Sequence, residues 1–324
     1  NTLGIPTIIK YDGKSNFYVY DSSLDQVLKL NRDGNVISEI GSVGRGPGEY
    51  SFLTNFFLTE NHIYVVDMGQ LLAHRYDKEG AYLSSFDFGK KDGRPTTPSF
   101  RYNRVAPMEI ENKPHITIQD NMLLSTVNVG ETKQTIFEVL DWEDGTLLSE
   151  FGDVPEGSTF VLDNQKLRNE ATDGQVPSFY KANSFPVQDR ANPDEFFVVY
   201  TALSKIAKYK MSGEKLWEKK VESSETRAIR KWFFETMERM AKSPDVRDRV
   251  GLQFYSSGAT GNGGDLYLVV RIKPVVIHKF NNTGELVHKY KFTTEEVTPV
   301  LDFDFSNQRI LVATENGEIR GYPF

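Results

Sequence analysis

The side chains best suited to chemistry in this chain recur at one fixed offset. Asp21 lies 13 residues before Gly34, Asp67 lies 13 before Gly80, Tyr200 lies 13 before Gly213, and Arg271 lies 13 before Gly284. Repetition that gathered Asp, Asp, Tyr and Arg at one rim would create a polar mouth able to hold a ligand. Paired carboxylates are also what glycoside hydrolysis uses, at a separation that spacing alone does not supply. The competing role is local, because an Asp at a strand end can cap its own turn.

A second cluster is the run Gly41-Ser42-Val43-Gly44-Arg45-Gly46-Pro47-Gly48-Glu49-Tyr50. Its four glycines permit positive φ and close backbone approach. The run is read either as a sharp crossover or as an anion or carbohydrate site built on Arg45, Glu49 and nearby N–H groups. It is not a phosphate loop, since no Lys-Ser/Thr follows and no helix is expected there.

Other chemistry is thinly represented. The absence of cysteine removes disulfides, thiol catalysis and Cys-based zinc sites. Of the five histidines, His74 and His278 share a position six residues before a turn glycine, where Leu28, Val139 and Ala207 stand elsewhere. His62, His115 and His288 form no metal-binding spacing with them. No GxSxG elbow or HExxH helix occurs. Asn55, Gln119, Gln188 and Asp304 are the polar members of the expected innermost strands, so calcium is the one cofactor that oxygen ligands there could take. No metal site is predicted.

The elements that must position these residues form an internal repeat. Asn16–Gly34, Asn61–Gly80 and Asp265–Gly284 each show an apolar run, a polar break, a second alternating run and an Asp/Asn/Lys-rich turn closed by Gly. Such a period is the signature of a repeat architecture. The chain therefore reads as all-β, a single six-bladed β-propeller of four-stranded antiparallel blades near 1–41, 42–89, 90–152, 153–222, 251–292 and 293–324. Blade three is expected to run His115–Gln119, Met122–Val127, Thr135–Leu140 and Thr146–Phe151, after a proline-rich loop, Lys90–Pro114. Blade five is expected to begin at Leu252–Tyr255. Blade six ends in an Asn316-Gly317 hairpin turn and lacks a fourth strand, which either Asn1–Pro6 or a segment upstream of it would supply. A helical insertion, 223–250, is expected to be helix near 224–242, because Ile229, Trp232, Phe233, Thr236, Met237 and Met240 share one helical face. Pro244 ends it.

The chain's 324 residues carry 38 Lys and Arg against 45 Asp and Glu, a net charge of −7, which argues against a nucleic-acid partner. No apolar run is long enough to span a membrane.

GRGPGEY following FYVYDSSLDQVLKLNRDGNVISEIG resembles the NHL-repeat and TolB-like six-bladed propellers, and more closely those abundant in Bacteroides and its relatives. The resemblance is strong over Ile8–Phe88 and moderate over Asp265–Phe324. It implies export, to the periplasm or as a surface lipoprotein with a lipid anchor upstream of this chain. Some NHL-type propellers are lyases with a metal held by histidines at the channel mouth, and that histidine pattern is not recovered here. The expected function is a binding or scaffold module for a protein or glycan at the rim, with Arg45, Glu49, Asp21, Asp67, Tyr200 and Arg271 as candidates. A propeller hydrolase or lyase is the alternative. A third possibility is an envelope component that engages its partner through the 224–242 helix.

Overall fold

The computed structural model describes residues 3–89, 105–119, 135–159, 162–242, 250–293, 297–314 and 317–324. Its strands form six antiparallel meanders in chain order. Blade one comprises β1 (Pro6–Tyr11), β2 (Phe17–Asp21), β3 (Gln26–Leu30) and β4 (Val36–Ile40). A short parallel ladder, β5 (Ser42–Val43) with β6 (Glu49–Tyr50), leads into blade two. Blade two comprises β7 (Leu53–Leu58), β8 (His62–Asp67), β9 (Leu72–Asp77) and β10 (Tyr82–Asp87), and blade three β11 (Val105–Ile110), β12 (Lys113–Gln119), β13 (Thr135–Asp141) and β14 (Leu147–Asp153). Helices α1 (Asn164–Thr172) and α2 (Ser178–Lys181) precede blade four, which is β15 (Ser184–Gln188), β16 (Glu195–Tyr200), β17 (Lys205–Lys210) and β18 (Lys215–Lys220). Helix α3 (Ser224–Lys242) precedes blade five: β19 (Tyr255–Thr260), β20 (Leu266–Val270), β21 (Val276–Phe280) and β22 (Leu286–Lys291). Blade six has three described strands, β23 (Val297–Asp304), β24 (Arg309–Thr314) and β25 (Ile319–Pro323).

Three expectations are corrected. His115–Gln119 belongs to the second strand of blade three, because the first strand is Val105–Ile110, inside the stretch read as a loop. Pro107 disguises that strand, yet β11 is terminal in its sheet, where a missing N–H is tolerated. The first strand of blade five is Tyr255–Thr260, not Leu252–Tyr255: Leu252 and Phe254 are buried in the core around the helices, and the small polar run SSGAT forms the strand. Helices α1 and α2, which were not expected, accompany the expected α3. In α1 only Leu167 and Ala171 are buried, so no apolar stripe marks it, although Asp163 accepts from the N–H groups of Gln165 and Lys166 as an N-cap. The expected Met122–Val127 strand and Asn316 lie outside the described residues.

The chain divides into two compact units. The first holds residues 1–118, 139–148 and 294–324, with blades one, two and six. The second holds 119–138 and 149–293, with blades four and five and all three helices. Blade three is divided between them.

Within each unit one recurring contact joins consecutive blades. Lys29, Arg75, Lys208 and Lys279 all stand five residues before a turn glycine. Lys29 lies over the Tyr18 ring, Arg75 over Trp142, Lys208 over Phe197 and Lys279 over Tyr267, with cation-to-centroid distances of 4.9–5.9 Å. Three of these cations reach the turn between the outer strands of the next blade. Lys29 donates to the Lys78 carbonyl at 2.8 Å, Arg75 pairs with Glu143 at 3.6 Å, and Lys208 donates to Asn282. Those turns need their glycine: Gly80 has φ +94°, and a Cβ there would stand 3.1 Å from the Glu39 carbonyl of blade one.

Helix α3 is fixed to the second unit at both its face and its first turn. Ile229, Phe233 and Met237 are buried with Leu167, Ala171 and Phe254, while Trp232, on the same expected stripe, is 53 % exposed. At the first turn, Ser223 and Thr226 cap reciprocally, each N–H donating to the other's hydroxyl at 3.0 Å. Glu225 accepts from Lys289 at 2.6 Å and pairs with Lys291 at 3.2 Å. It also faces His278 Nε2 at 3.4 Å, while His278 Nδ1 meets the Tyr255 hydroxyl at 3.0 Å. Burial pulls the His278 imidazole down to about 4 from 6.5, with Glu225 opposing. Burial also raises the Glu225 carboxyl, but its bonds to Lys289 and Lys291 outweigh that and hold it well below the usual range. The unfolded chain therefore binds more protons than the folded one between those two His278 values. Stability is expected to fall by about 3 kcal/mol as pH drops through that window. His278→Gln should flatten this slope in urea unfolding at pH 7 and 4.5, and parallel curves for the two proteins would refute the assignment. The Glu225 contribution is lost separately, below pH 4.5, the ordinary carboxylate value.

Candidate functional site

The turns between second and third strands and the crossovers between blades lie at one end of each meander. Asp21 and Asp67 stand there at the ends of β2 and β8, fully buried. Asp21 accepts from the N–H groups of Gly4 (2.6 Å), Ile5 (3.0 Å) and Ser23 (3.0 Å) and from the Ser23 hydroxyl (2.6 Å). Asp67 makes the same set one blade on. It accepts from Ser51 (2.8 Å), Phe52 (2.9 Å) and Gly69 (2.7 Å) backbone N–H and from the Gln70 side-chain amide (2.8 Å). Burial pushes both carboxyls up, and these donors outweigh it, so both sit below the usual range. Each aspartate thus ties the crossover that enters a blade to the turn inside that blade.

The glycine-rich run is a closed loop. The Gly44 N–H donates to the Tyr50 carbonyl and the Glu49 N–H to the Gly46 carbonyl, both at 3.0 Å. The Glu49 carboxylate accepts from the Gly46 N–H at 2.7 Å. The Gln70 amide donates to the Glu49 carbonyl at 3.0 Å, coupling the loop to Asp67. Gly41 is required here: its φ is +65°, and a Cβ would stand 2.7 Å from the Tyr76 hydroxyl. Arg45, at the loop's outer side, is exposed and has no hydrogen-bond or ion-pair partner among the described residues.

The same edge carries the four most exposed large apolar side chains among the described residues. They are Phe52 (62 %), Leu24 (60 %), Ile5 (59 %) and Val43 (55 %). Ile5 and Phe52 occupy equivalent places, their N–H groups bound to Asp21 and Asp67. Leu24 is in the β2–β3 turn, and Val43 in the glycine-rich loop. Sequence patterning missed this set because each residue lies in a turn or crossover, outside the periodic runs.

The remaining candidates belong to the second unit. Tyr200 is fully buried, its hydroxyl donating to the Asp153 carbonyl at 2.9 Å, and burial raises its pKa above the usual phenol value. Arg271 is exposed and donates to the Gln253 side chain. The polar residues considered for a cation are bonded locally: Asn55 to the Phe56 N–H, Gln119 to the Ala182 carbonyl, Gln188 to the Pro193 carbonyl and Asp304 to Asn307. Gln119 ends a second strand rather than lining a first one. Among the described residues no three His, Asp or Glu side chains are gathered to hold a metal. His74 meets the Ser85 hydroxyl at 2.8 Å. One acid–base pair escaped the sequence reading: His62 Nδ1 hydrogen-bonds Glu109, which also accepts from the Tyr64 hydroxyl at 3.0 Å. Its partners come from different blades, beyond the reach of spacing rules.

Residues 1–90 match a family model described as a six-bladed beta-propeller, DUF5128. Comparison with curated proteins finds no match. Among solved structures the chain is similar to a member of the DUF4221 family from Bacteroides vulgatus ATCC 8482. Identity there is 8 %, the match covers 98 % of this chain and 89 % of that one, and the TM-score is 0.57. It is also similar to a putative exported protein from Bacteroides fragilis NCTC 9343 (14 % identity, 96 % and 79 % coverage, TM-score 0.51). A streptogramin B lyase matches at 13 % identity, 100 % and 84 % coverage and TM-score 0.51. At such identities the likeness is one of fold. No helix among the described residues is long and apolar enough to cross a membrane. The six antiparallel meanders in chain order, together with the family match over residues 1–90, identify this protein as a six-bladed β-propeller.

Proposed function

We propose that this propeller is a binding module of an exported protein, holding a protein or glycan ligand at the edge of blades one and two. One observation carries the reading: among the described residues, the four most exposed large apolar side chains and an Arg45 with no hydrogen-bond or ion-pair partner share that edge. Exposed apolar residues grouped in this way mark interaction sites. The arrangement favours binding over hydrolase or lyase chemistry at this edge, because Asp21 and Asp67 have their oxygens bound to backbone N–H groups. The fold likeness to a putative exported protein supports the location.

The test is a screen of labelled protein against a glycan array and a displayed random-peptide library, repeated with Leu24→Ser/Phe52→Ser. The reading predicts at least one ligand class whose binding weakens about tenfold or more in the variant. The melting temperature should stay unchanged, since both side chains are exposed. Ligands that the variant holds as tightly as the parent would refute it.

A further inference from the structure

The chemistry left facing outward selects between the two ligand classes. Recognition of sugar hydroxyls needs polar side chains free to pair with them, since an unmet buried polar group is costly. At this edge the carboxylates and Gln70 are engaged with the protein itself. Asp21 and Asp67 hold backbone N–H groups, Glu49 accepts from the Gly46 N–H, Gln70 donates to the Glu49 carbonyl, and Asp25 accepts from the Tyr20 hydroxyl. What remains exposed is Ile5, Leu24, Val43 and Phe52, with Arg45 two residues from Val43 in the loop and the small Ser42 hydroxyl as the other polar group there. Apolar side chains match apolar side chains, and a guanidinium matches a carboxylate through its planar fork of donors. Arg45 is also presented from a backbone already fixed by the Gly44–Tyr50, Gly46–Glu49 and Gln70 bonds, so little loop ordering opposes capture. The protein's net charge of −7 repels acidic ligands in general, which makes an unpaired cation at an apolar edge a local signal.

We infer that the edge of blades one and two takes a peptide segment in which an Asp or Glu carboxylate, held by Arg45, adjoins a bulky apolar side chain seated among Ile5, Leu24, Val43 and Phe52. This rests on the binding reading above and narrows it to one partner chemistry.

The experiment selects a displayed random-peptide library on the whole protein and measures the enriched peptides against Arg45→Glu and Phe52→Ser. The expected result is enrichment of Asp or Glu next to Leu, Ile, Phe or Trp. Both variants should weaken binding about tenfold or more. Melting curves and parallel binding by a control on blade four, Lys220→Glu, establish that the variants are folded. Peptides enriched without an acidic residue, or insensitive to Arg45→Glu yet lost in Phe52→Ser, overturn the inference and leave the binding edge standing. The same holds if only glycans bind in a Phe52-dependent manner. Enrichment insensitive to both substitutions, or no ligand from either library, overturns the inference and the binding reading together.

Discussion

Lys208→Met is expected to lower the free energy of unfolding by about 3–5 kcal/mol, the range for breaking a buried ion pair from one side. Lys208 and Asp189 are both buried, 2.7 Å apart, and Lys208 also meets Glu195 at 2.6 Å and Asn282 of the next blade. Removing the ammonium leaves Asp189 buried without its counter-charge and breaks the contact that joins blade four to the turn of blade five. The repeat supplies its own control. Lys279 holds the same place one blade on, but its pair with Asp265 at 2.8 Å is partly solvated on both sides. Lys279→Met should therefore cost under about 1 kcal/mol, as exposed pairs do. Urea unfolding of the two variants side by side checks the claim, and equal effects would mean that burial does not set the strength of this contact.

The second large effect is expected from Asp67→Ala, at about 3 kcal/mol. The substitution removes a buried charged acceptor from three backbone N–H groups and one side-chain amide; hydrogen bonds to charge are worth about 1.5–3 kcal/mol each, and water entering the variant replaces part of them. The pH dependence has a definite sign. Because the folded carboxyl sits below its ordinary value of 3.8, its contribution is present above that pH and is lost as pH falls through the folded value. The gap between parent and variant should narrow in strong acid. A variant as stable as the parent at pH 7 would return Asp67 to the list of groups free to act on a ligand.

How far the fold could be read in advance follows from where its information lies. The second strands Phe17–Asp21 and Arg309–Thr314, and helix Ser224–Lys242, coincide with the periodic apolar runs that announce them. Val105–Ile110 was hidden by Pro107, and Tyr255–Thr260 by its small residues, because their places are fixed by the neighbouring strand rather than by their own pattern. The site divides in the same way. Asp21 and Asp67 were visible as a repeat, and the structure supplies the reason for the repetition: each holds an equivalent crossover. The cations five residues before the turn glycines share an offset that went unread in the sequence, and three of the four have partners one blade away. The exposed apolar set was not legible, since exposure of a turn residue depends on what the rest of the chain leaves uncovered.

The most direct test of the account is native-state hydrogen exchange at the Ser51, Phe52 and Gly69 amides. The account holds that the Asp67 carboxylate is a structural tie, while the Phe52 side chain beside it is free for a partner. Exchange at these three amides should be slow in the parent, fast in Asp67→Ala and unchanged in Phe52→Ser. Free-chain exchange rates in the parent, or protection that survives the loss of Asp67, would contradict it.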